Sequence, residues 1–298
     1  MRIAVLDIGG TAIKYGIAES PDNVTPLGEM ETRAKQDGGE GIVKKAESIL
    51  DTLAPFDAVG ISTAGIADIK TGAITYANEN IPHYTGIPLG EHLRSRYGVP
   101  VAVRNDVHAA AIGEATFGAG KAFRSFLCLT YGTGIGGAAF LSGQLLSGQT
   151  DSAGHFGHIT THRGGKQCGC GNYGCYEAYA SVTTLCALVK ERTGEDLNGR
   201  EIFARLDEPV IKQSLSDWID EVVVGLASLI HAFNPEGVIL GGGVFNESVL
   251  MNEIKTRLFT LLMPTFQQTV ICKAALGNRA GLLGALAIAK DALLKAKE

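Results

Sequence analysis

Residues 153–181 read AGHFGHITTHRGGKQCGCGNYGCYEAYAS and gather thiols, imidazoles and a carboxylate into one loop. Cys168, Cys170 and Cys175 fall within eight residues, His155, His158 and His162 stand upstream, and Glu177 follows at once. Thiols this close make a disulfide, a redox pair or a metal site. Three thiolates and one imidazole form the soft-to-borderline donor set of tetrahedral zinc. Such a site is structural rather than catalytic, because four protein ligands leave no open position. Spacing alone does not say which of the three histidines is the fourth ligand. Cys128, Cys186 and Cys272 lie in apolar surroundings and read as ordinary buried residues.

The next chemistry lies in glycine. The chain has 39 glycines, clustered at DIGGT (7–11), YGTGIGG (131–137) and ILGGGV (239–244), each beside an apolar run. Backbone N–H groups in such turns point into open space and bind anions, and Thr11 and Thr133 add hydroxyl donors. None is a P-loop, since G-x-x-x-x-G-K-[ST] is missing, and none opens a clear helix as dinucleotide-binding turns do. Any one could be a plain hairpin turn. Together they favour a nucleotide held between two halves, with Gly9, Gly10, Gly132, Gly134, Gly136, Gly242 and Gly243 as candidates for phosphate and nucleoside contact. Asp7, at the end of the first apolar run, suits magnesium held through water, or else caps a turn. Asp106 follows the strand-like VPVAVRN and opens DVHAAAIGEATF. A carboxylate at a strand end is a candidate general base; the blander alternative is a helix cap.

These residues need elements to hold them. RIAVLDIGG reads as a buried strand, TAIKYGIAES as its hairpin partner, and residues 40–53 as an amphipathic helix. DAVGIST, GAITYA and VPVAVR read as further strands, and 88–97 and 106–117 as helices. The pattern then begins again: SFLCLTYGTG is a strand ending in glycine, and IGGAAFLSGQLL is its partner. Two or three helices are expected over 177–233, then strands GVILGGGV and ICKAA and a closing helix, NRAGLLGALAIAKDALL. The reading is α/β with two related halves and a cleft between them. The domains expected are 1–117, a small N-terminal domain joined by the C-terminal helix 280–298, and 118–279, a larger one with the cysteine loop. No Pro/Ser-rich linker separates them, so a hinge is expected within ordered structure near residue 118.

The net charge of -5 and pI near 5.8 give no basic footprint for nucleic acid. No apolar stretch reaches the roughly 18 residues of a membrane span, and the N-terminus lacks the marks of a secretory leader. A cytoplasmic protein is expected, where thiols stay reduced and clustered cysteines favour metal.

DIGGT with Lys14, RNDVHAAAIGE, YGTGIGGA, and GH followed by CGCGNYGCYEAYAS resemble the ROK family of sugar kinases over essentially the whole chain. The cysteine pattern is the most specific part. The resemblance implies an actin/hexokinase-like (ribonuclease H-like) ATPase fold, with the active site in the interdomain cleft and ATP as phosphoryl donor. It implies that His158 completes the zinc site and offers its other nitrogen to a sugar hydroxyl. It gives Asp106 the role of base, places Asn105, Asn80 and Glu177 on sugar hydroxyls, and suggests a homodimer. Asn78 is a rival to Asn80. Family members that repress transcription carry an N-terminal helix-turn-helix; here the first strand starts at residue 2.

One departure is informative. Glucose-handling members usually read E-x-G-H where this chain reads HFGH, so His155 stands in place of a glutamate. A carboxylate accepts two hydrogen bonds and suits two adjacent hydroxyls, whereas imidazole offers one donor or acceptor at each nitrogen. That suits a sugar with an amide at C2. Bacterial N-acetylmannosamine kinases of the family resemble the chain here. The expected activity is ATP-dependent 6-phosphorylation of N-acetylmannosamine. The alternatives are a glucokinase or other hexose or β-glucoside kinase and, remotely, a non-catalytic sugar sensor.

Overall fold

A computed structural model of the chain describes residues 1–297. Its contacts divide it into two compact units, one formed by Met1–Lys121, Ser147–Ala153 and the segment from Asn278 on, the other by Ala122–Leu146 and Gly154–Gly277. The chain thus passes from one unit to the other at four places. Ser147–Ala153, which the sequence reading placed with the second half, packs with the first.

The first unit holds β1 (Ile3–Ile8), β2 (Ala12–Ala18), β3 (Thr25–Glu31), α1 (Ala34–Leu53), β4 (Ala58–Thr63), β5 (Ile66–Ala67), β6 (Ile74–Tyr76), α2 (Leu89–Tyr97), β7 (Val101–Asn105) and α3 (Asp106–Phe117). Its five-stranded sheet runs β3-β2-β1-β4-β7, with β1–β2 and β2–β3 antiparallel and β1–β4 and β4–β7 parallel. The central strands IAVLDI and AVGIST are buried almost throughout, as parallel strands covered on both faces must be. The C-terminal helix, Ala280–Lys295, packs on β4, β1 and β7 and on α3. Two elements depart from expectation. Helix α1 begins at Ala34, not near 40, with a break at Gly38, whose φ of 59° lies outside helical space. β3, TPLGEME, carries Pro and Gly and is exposed at every residue but Met30, so it has no strand pattern of its own; pairing with β2 makes it a strand.

The second unit holds β8 (Phe126–Tyr131), β9 (Ile135–Leu141), β10 (Gln144–Leu145), α4 (Glu177–Ala180), α5 (Val182–Thr193), α6 (Gly199–Ala204), α7 (Pro209–Phe233), β11 (Gly237–Gly241), α8 (Ser248–Leu261) and β12 (Val270–Lys273). The sheet order is β10-β9-β8-β11-β12, again two antiparallel pairings followed by two parallel ones. Four helices, not two or three, fill 177–233, and α8 was not anticipated. The core gathers on α7, where Trp218, Ile219, Val222, Leu226 and Ile230 share one buried cluster with Leu127 and Leu129 of β8 and Val238 and Leu240 of β11.

Candidate active site and metal centre

In the first unit the parallel strands end side by side. Asp7 of β1 is paired with Ser62 of β4, and Thr63 of β4 with Asn105 of β7. Ligands of open α/β sheets bind at this carboxyl edge. Asn105 caps α3: its Oδ1 accepts from the N–H of Val107 (3.0 Å) and of His108 (3.3 Å). Its Nδ2 donates to the Gly65 carbonyl and to Asp106 Oδ1, both at 2.9 Å. A sugar hydroxyl meeting Asn105 must therefore share or exchange one of these bonds. Asp106 is the first helical residue. Its Oδ1 also accepts from the Val107 N–H (2.9 Å). Burial pushes its carboxyl up to about 6; the Val107 amide opposes the shift, and the charge of Asp7 adds to it. A buried carboxylate with its pKa raised in this way is suited to general-base chemistry.

Asp7 accepts from Ser62 Oγ at 2.6 Å and faces Lys14 across the β1–β2 pair. Burial raises its carboxyl above the usual range, against the Ser62 bond and the Lys14 charge. The second residue of the C-terminal helix is glycine for a visible reason: a Cβ on Gly281 would stand 2.5 Å from the Asp7 carboxylate. A half-buried carboxylate beside a helix N-terminus and a lysine suits a hydrated magnesium ion with its phosphates. Gly9 closes the first turn through its N–H to the Ala12 carbonyl (3.0 Å), and Gly10 and Thr11 lie exposed at the tip. Asn80 is exposed in the loop after β6. Its N–H donates to Asn78 Oδ1 (3.1 Å), which ties Asn78 into the turn and leaves the Asn80 side chain without a hydrogen bond among the described residues.

In the second unit β8 and β11 are neighbours, so the turns after them adjoin. Gly132 and Thr133 are exposed after β8, with the Gly132 N–H bonded to the Gly134 carbonyl (2.9 Å); Gly136 lies in β9. Gly242 and Gly243 follow β11. Gly242 has φ 119°, and a Cβ there would lie 2.1 Å from the Tyr131 carbonyl oxygen, so only glycine fits. A cavity of about 1010 Å³ opens on these turns; Gly132, Thr133 and Gly243 line it, with walls from Val182 and Cys186 of α5 and Phe203 of α6. Those walls escaped the sequence reading. The signal was there: Asn198 and Glu201 form a reciprocal capping box that starts α6 at the cavity rim.

The cysteines are brought together with one histidine. Ligand atoms of His158, Cys168, Cys170 and Cys175 all lie within 4.8 Å of one another. Cys168 Sγ is 3.7 Å from His158 Nδ1, and Cys170 Sγ is 3.6 Å from Cys175 Sγ. A tetrahedral zinc with bonds of about 2.3 Å to sulfur has edges of about 3.8 Å, so the donor set fits. All six cysteines are free, which leaves no disulfide. The loop is shaped by the bridges Thr160–Cys175 and Gln167–Tyr173 and by the Cys168 N–H bonded to the Asn172 carbonyl (2.8 Å). His162 lies apart from the cluster, stacked on Tyr179 with ring centres 3.9 Å apart.

His155 is exposed, with its ring centre 6.3 Å from that of His158. Glu177 opens α4. It accepts the Ile135 N–H at Oε2 (2.7 Å), and its Oε1 lies 3.8 Å from Cys168 Sγ. It is therefore no loose surface glutamate; it joins β9 to the cysteine loop. Gly134 makes room for it, since a Cβ there would meet Oε2 at 2.2 Å.

Two α/β sheets of one strand order, with glycine turns at their strand ends, place the molecule among the actin/hexokinase-like ATPases. The model of the ROK family matches residues 3–292, and the chain belongs to that family. It is an ATP-dependent sugar kinase. A β-glucoside kinase of Listeria monocytogenes is 34% identical over 298 residues, covering 96% of each chain. The glucokinase of Streptomyces griseus, solved with glucose and AMPPNP, is 31% identical with a TM-score of 0.84, covering 98% of this chain and all of that one. A candidate N-acetylmannosamine kinase of Listeria monocytogenes is 30% identical with a TM-score of 0.88, both chains being covered in full.

Proposed function

We propose that this kinase transfers the γ-phosphoryl group of ATP to the 6-hydroxyl of N-acetylmannosamine, a step in sialic acid breakdown. The choice of sugar is carried by His155, which, by the family resemblance, stands where glucose-handling members usually carry a glutamate. A single imidazole donor or acceptor suits a C2 amide better than a pair of adjacent hydroxyls. The similarity to the candidate N-acetylmannosamine kinase supports the reading. The glucokinase and β-glucoside kinase relatives favour the second reading, a kinase of glucose or a β-glucoside.

Asp106 takes the proton of the 6-hydroxyl through Oδ2. The new O6–P bond forms as the bond from the γ-phosphorus to its bridging oxygen breaks, and ADP leaves. Asn105 holds Oδ1 of the base. Asn80, Asn105, His155, His158 and Glu177 bind sugar hydroxyls or the amide. Lys14 and the turns at Gly9–Thr11 and Gly132–Gly134 carry phosphate, and the wall of α5 and α6 with Gly242 and Gly243 carries the nucleoside. Asp7 would hold magnesium, which neutralises charge on the phosphates. His158 Nδ1, Cys168, Cys170 and Cys175 would hold a structural zinc that stiffens the sugar loop, leaving His158 Nε2 for substrate. We assign the protein to the cytoplasm as a homodimer without nucleic-acid or membrane partners; among the described residues no helix is long and apolar enough to cross a membrane.

A coupled assay of ADP release with N-acetylmannosamine, N-acetylglucosamine, glucose and a β-glucoside tests the reading. The highest kcat/KM is expected with N-acetylmannosamine. A kcat/KM for glucose that equals or exceeds it favours the second reading instead, and no turnover with any sugar removes both.

A further inference from the structure

His108 lies in the first turn of α3, two residues beyond Asp106, and is 3% exposed. Its Nε2 is 2.8 Å from the carbonyl oxygen of Ala153. A carbonyl only accepts, so Nε2 carries a hydrogen and donates it. The helical turn that presents Asp106 thus also grips the segment Ser147–Ala153. That segment is closed on itself by the Ala153 N–H bonded to the Ser147 carbonyl (3.0 Å). A second tether comes from Asp151, held at a left-handed φ of 56°, whose Oδ2 accepts the Ile69 N–H at 3.0 Å. His155 follows Ala153 by two residues, a reach of about 7 Å of extended chain. Gly154, between them, has φ 93°. Whatever pins Ala153 therefore restricts where the His155 imidazole can go.

We propose that His108 is a positioning residue for sugar selection: by holding the Ala153 carbonyl to the first turn of α3, it limits the range of His155. It moves no proton and touches no substrate. The inference rests on the reading that His155 meets the sugar. Its signature is therefore a change in which sugar is preferred, with turnover of bound sugar conserved.

The test compares the full-length protein with His108→Ala, His108→Phe and His108→Gln, with His155→Ala and with the double variant His108→Ala/His155→Ala. Each is assayed for KM and kcat with N-acetylmannosamine and glucose, and for melting temperature. His108→Phe keeps the bulk without the donor and stands in if the alanine variant does not fold. His108→Gln puts an amide N–H near the position of Nε2. Losing the buried donor should lower the kcat/KM ratio of N-acetylmannosamine to glucose by about tenfold, through KM, with kcat within about twofold. Glutamine should restore the ratio to within about twofold. In the His155→Ala background, removing His108 should not change the ratio further, because the two act in series. Equal weakening for both sugars together with a lower melting temperature would make His108 merely structural and overturn the inference. If His155→Ala alters the sugar ratio and the His108 variants do not, the inference fails while the reading stands. If His155→Ala leaves the ratio unchanged, that part of the functional reading fails, and the inference with it.

Discussion

The two sheets of this kinase are copies in topology and opposites in chemistry. Each runs antiparallel, antiparallel, parallel, parallel across five strands. In the first, the parallel strand ends present Asp7, Ser62, Asn105 and Asp106, and burial raises both carboxylates. In the second, the equivalent ends present glycine turns and an open cavity, while the loop before α4 carries the thiol cluster. One architecture fixes where a ligand meets the sheet, and the residues at each strand end decide what chemistry that place offers: buried carboxylates in the first unit, glycine turns in the second.

The comparison breaks most readily at Asp106. Asp106→Asn should lower kcat by two to four orders of magnitude with sugar binding largely kept, as expected when a general base is lost. Stopped-flow turnover with equilibrium sugar titration checks it. A near-normal rate would take the proton transfer away from the first sheet. Next in size, Cys175→Ser should strip the metal and raise the sugar KM by about ten- to a hundredfold with less change in the KM for ATP, consistent with the loss of a ligand from a closed site. Metal analysis of the parent should find one zinc per chain, and a fully active zinc-free protein would end the stapling role.

The pH profile sharpens the contrast between the two units. Burial raises the Asp106 carboxyl to about 6, so the free enzyme carries a growing fraction of neutral Asp106 as pH falls through that value. Measured kcat/KM should rise with pH up to about 6 and level off above, falling about tenfold per pH unit well below it. An acid limb that persists unchanged in Asp106→Asn would assign the titration elsewhere. A smaller effect is expected in the second unit. Gly134→Ala would push a methyl into Glu177 and should weaken sugar binding several-fold with little change in kcat, read from the sugar KM. Smallest of all, Asn198→Ala removes one half of the capping box at the cavity rim. It should cost about 1 kcal/mol of stability by urea unfolding and raise the KM for ATP no more than a few-fold.

Much of this is legible in the sequence, for physical reasons that differ from place to place. IAVLDI and FLCLTY announce buried strands because short apolar runs that stop at glycine have few other uses. The cysteine spacing restricted the loop to a few chemistries, and family resemblance selected His158, which is the histidine the fold brings to the thiols. The sequence placed Asp106 at or beside a helix cap; in the fold Asn105 does the capping, and Asp106, the first residue of α3, accepts the Val107 N–H through Oδ1. What was not legible depends on partners distant in sequence. The edge strand β3 has no apolar alternation because only β2 stabilises it. The grip of His108 on Ala153 spans 45 residues and leaves no trace in local pattern. The cavity wall is assembled from α5, α6 and the turn after β11, none of which carries a motif that points to the others.

The claim on which the account rests is that Asp106 accepts the proton of the sugar hydroxyl that is phosphorylated. The most direct measurement is a crystal structure of the protein with N-acetylmannosamine and a non-hydrolysable ATP analogue. The account predicts Asp106 Oδ2 within hydrogen-bond reach of the 6-hydroxyl, about 2.6–3.2 Å, with that oxygen aimed at the terminal phosphorus. A ternary complex with the 6-hydroxyl bonded to another group and Asp106 well out of reach would contradict it.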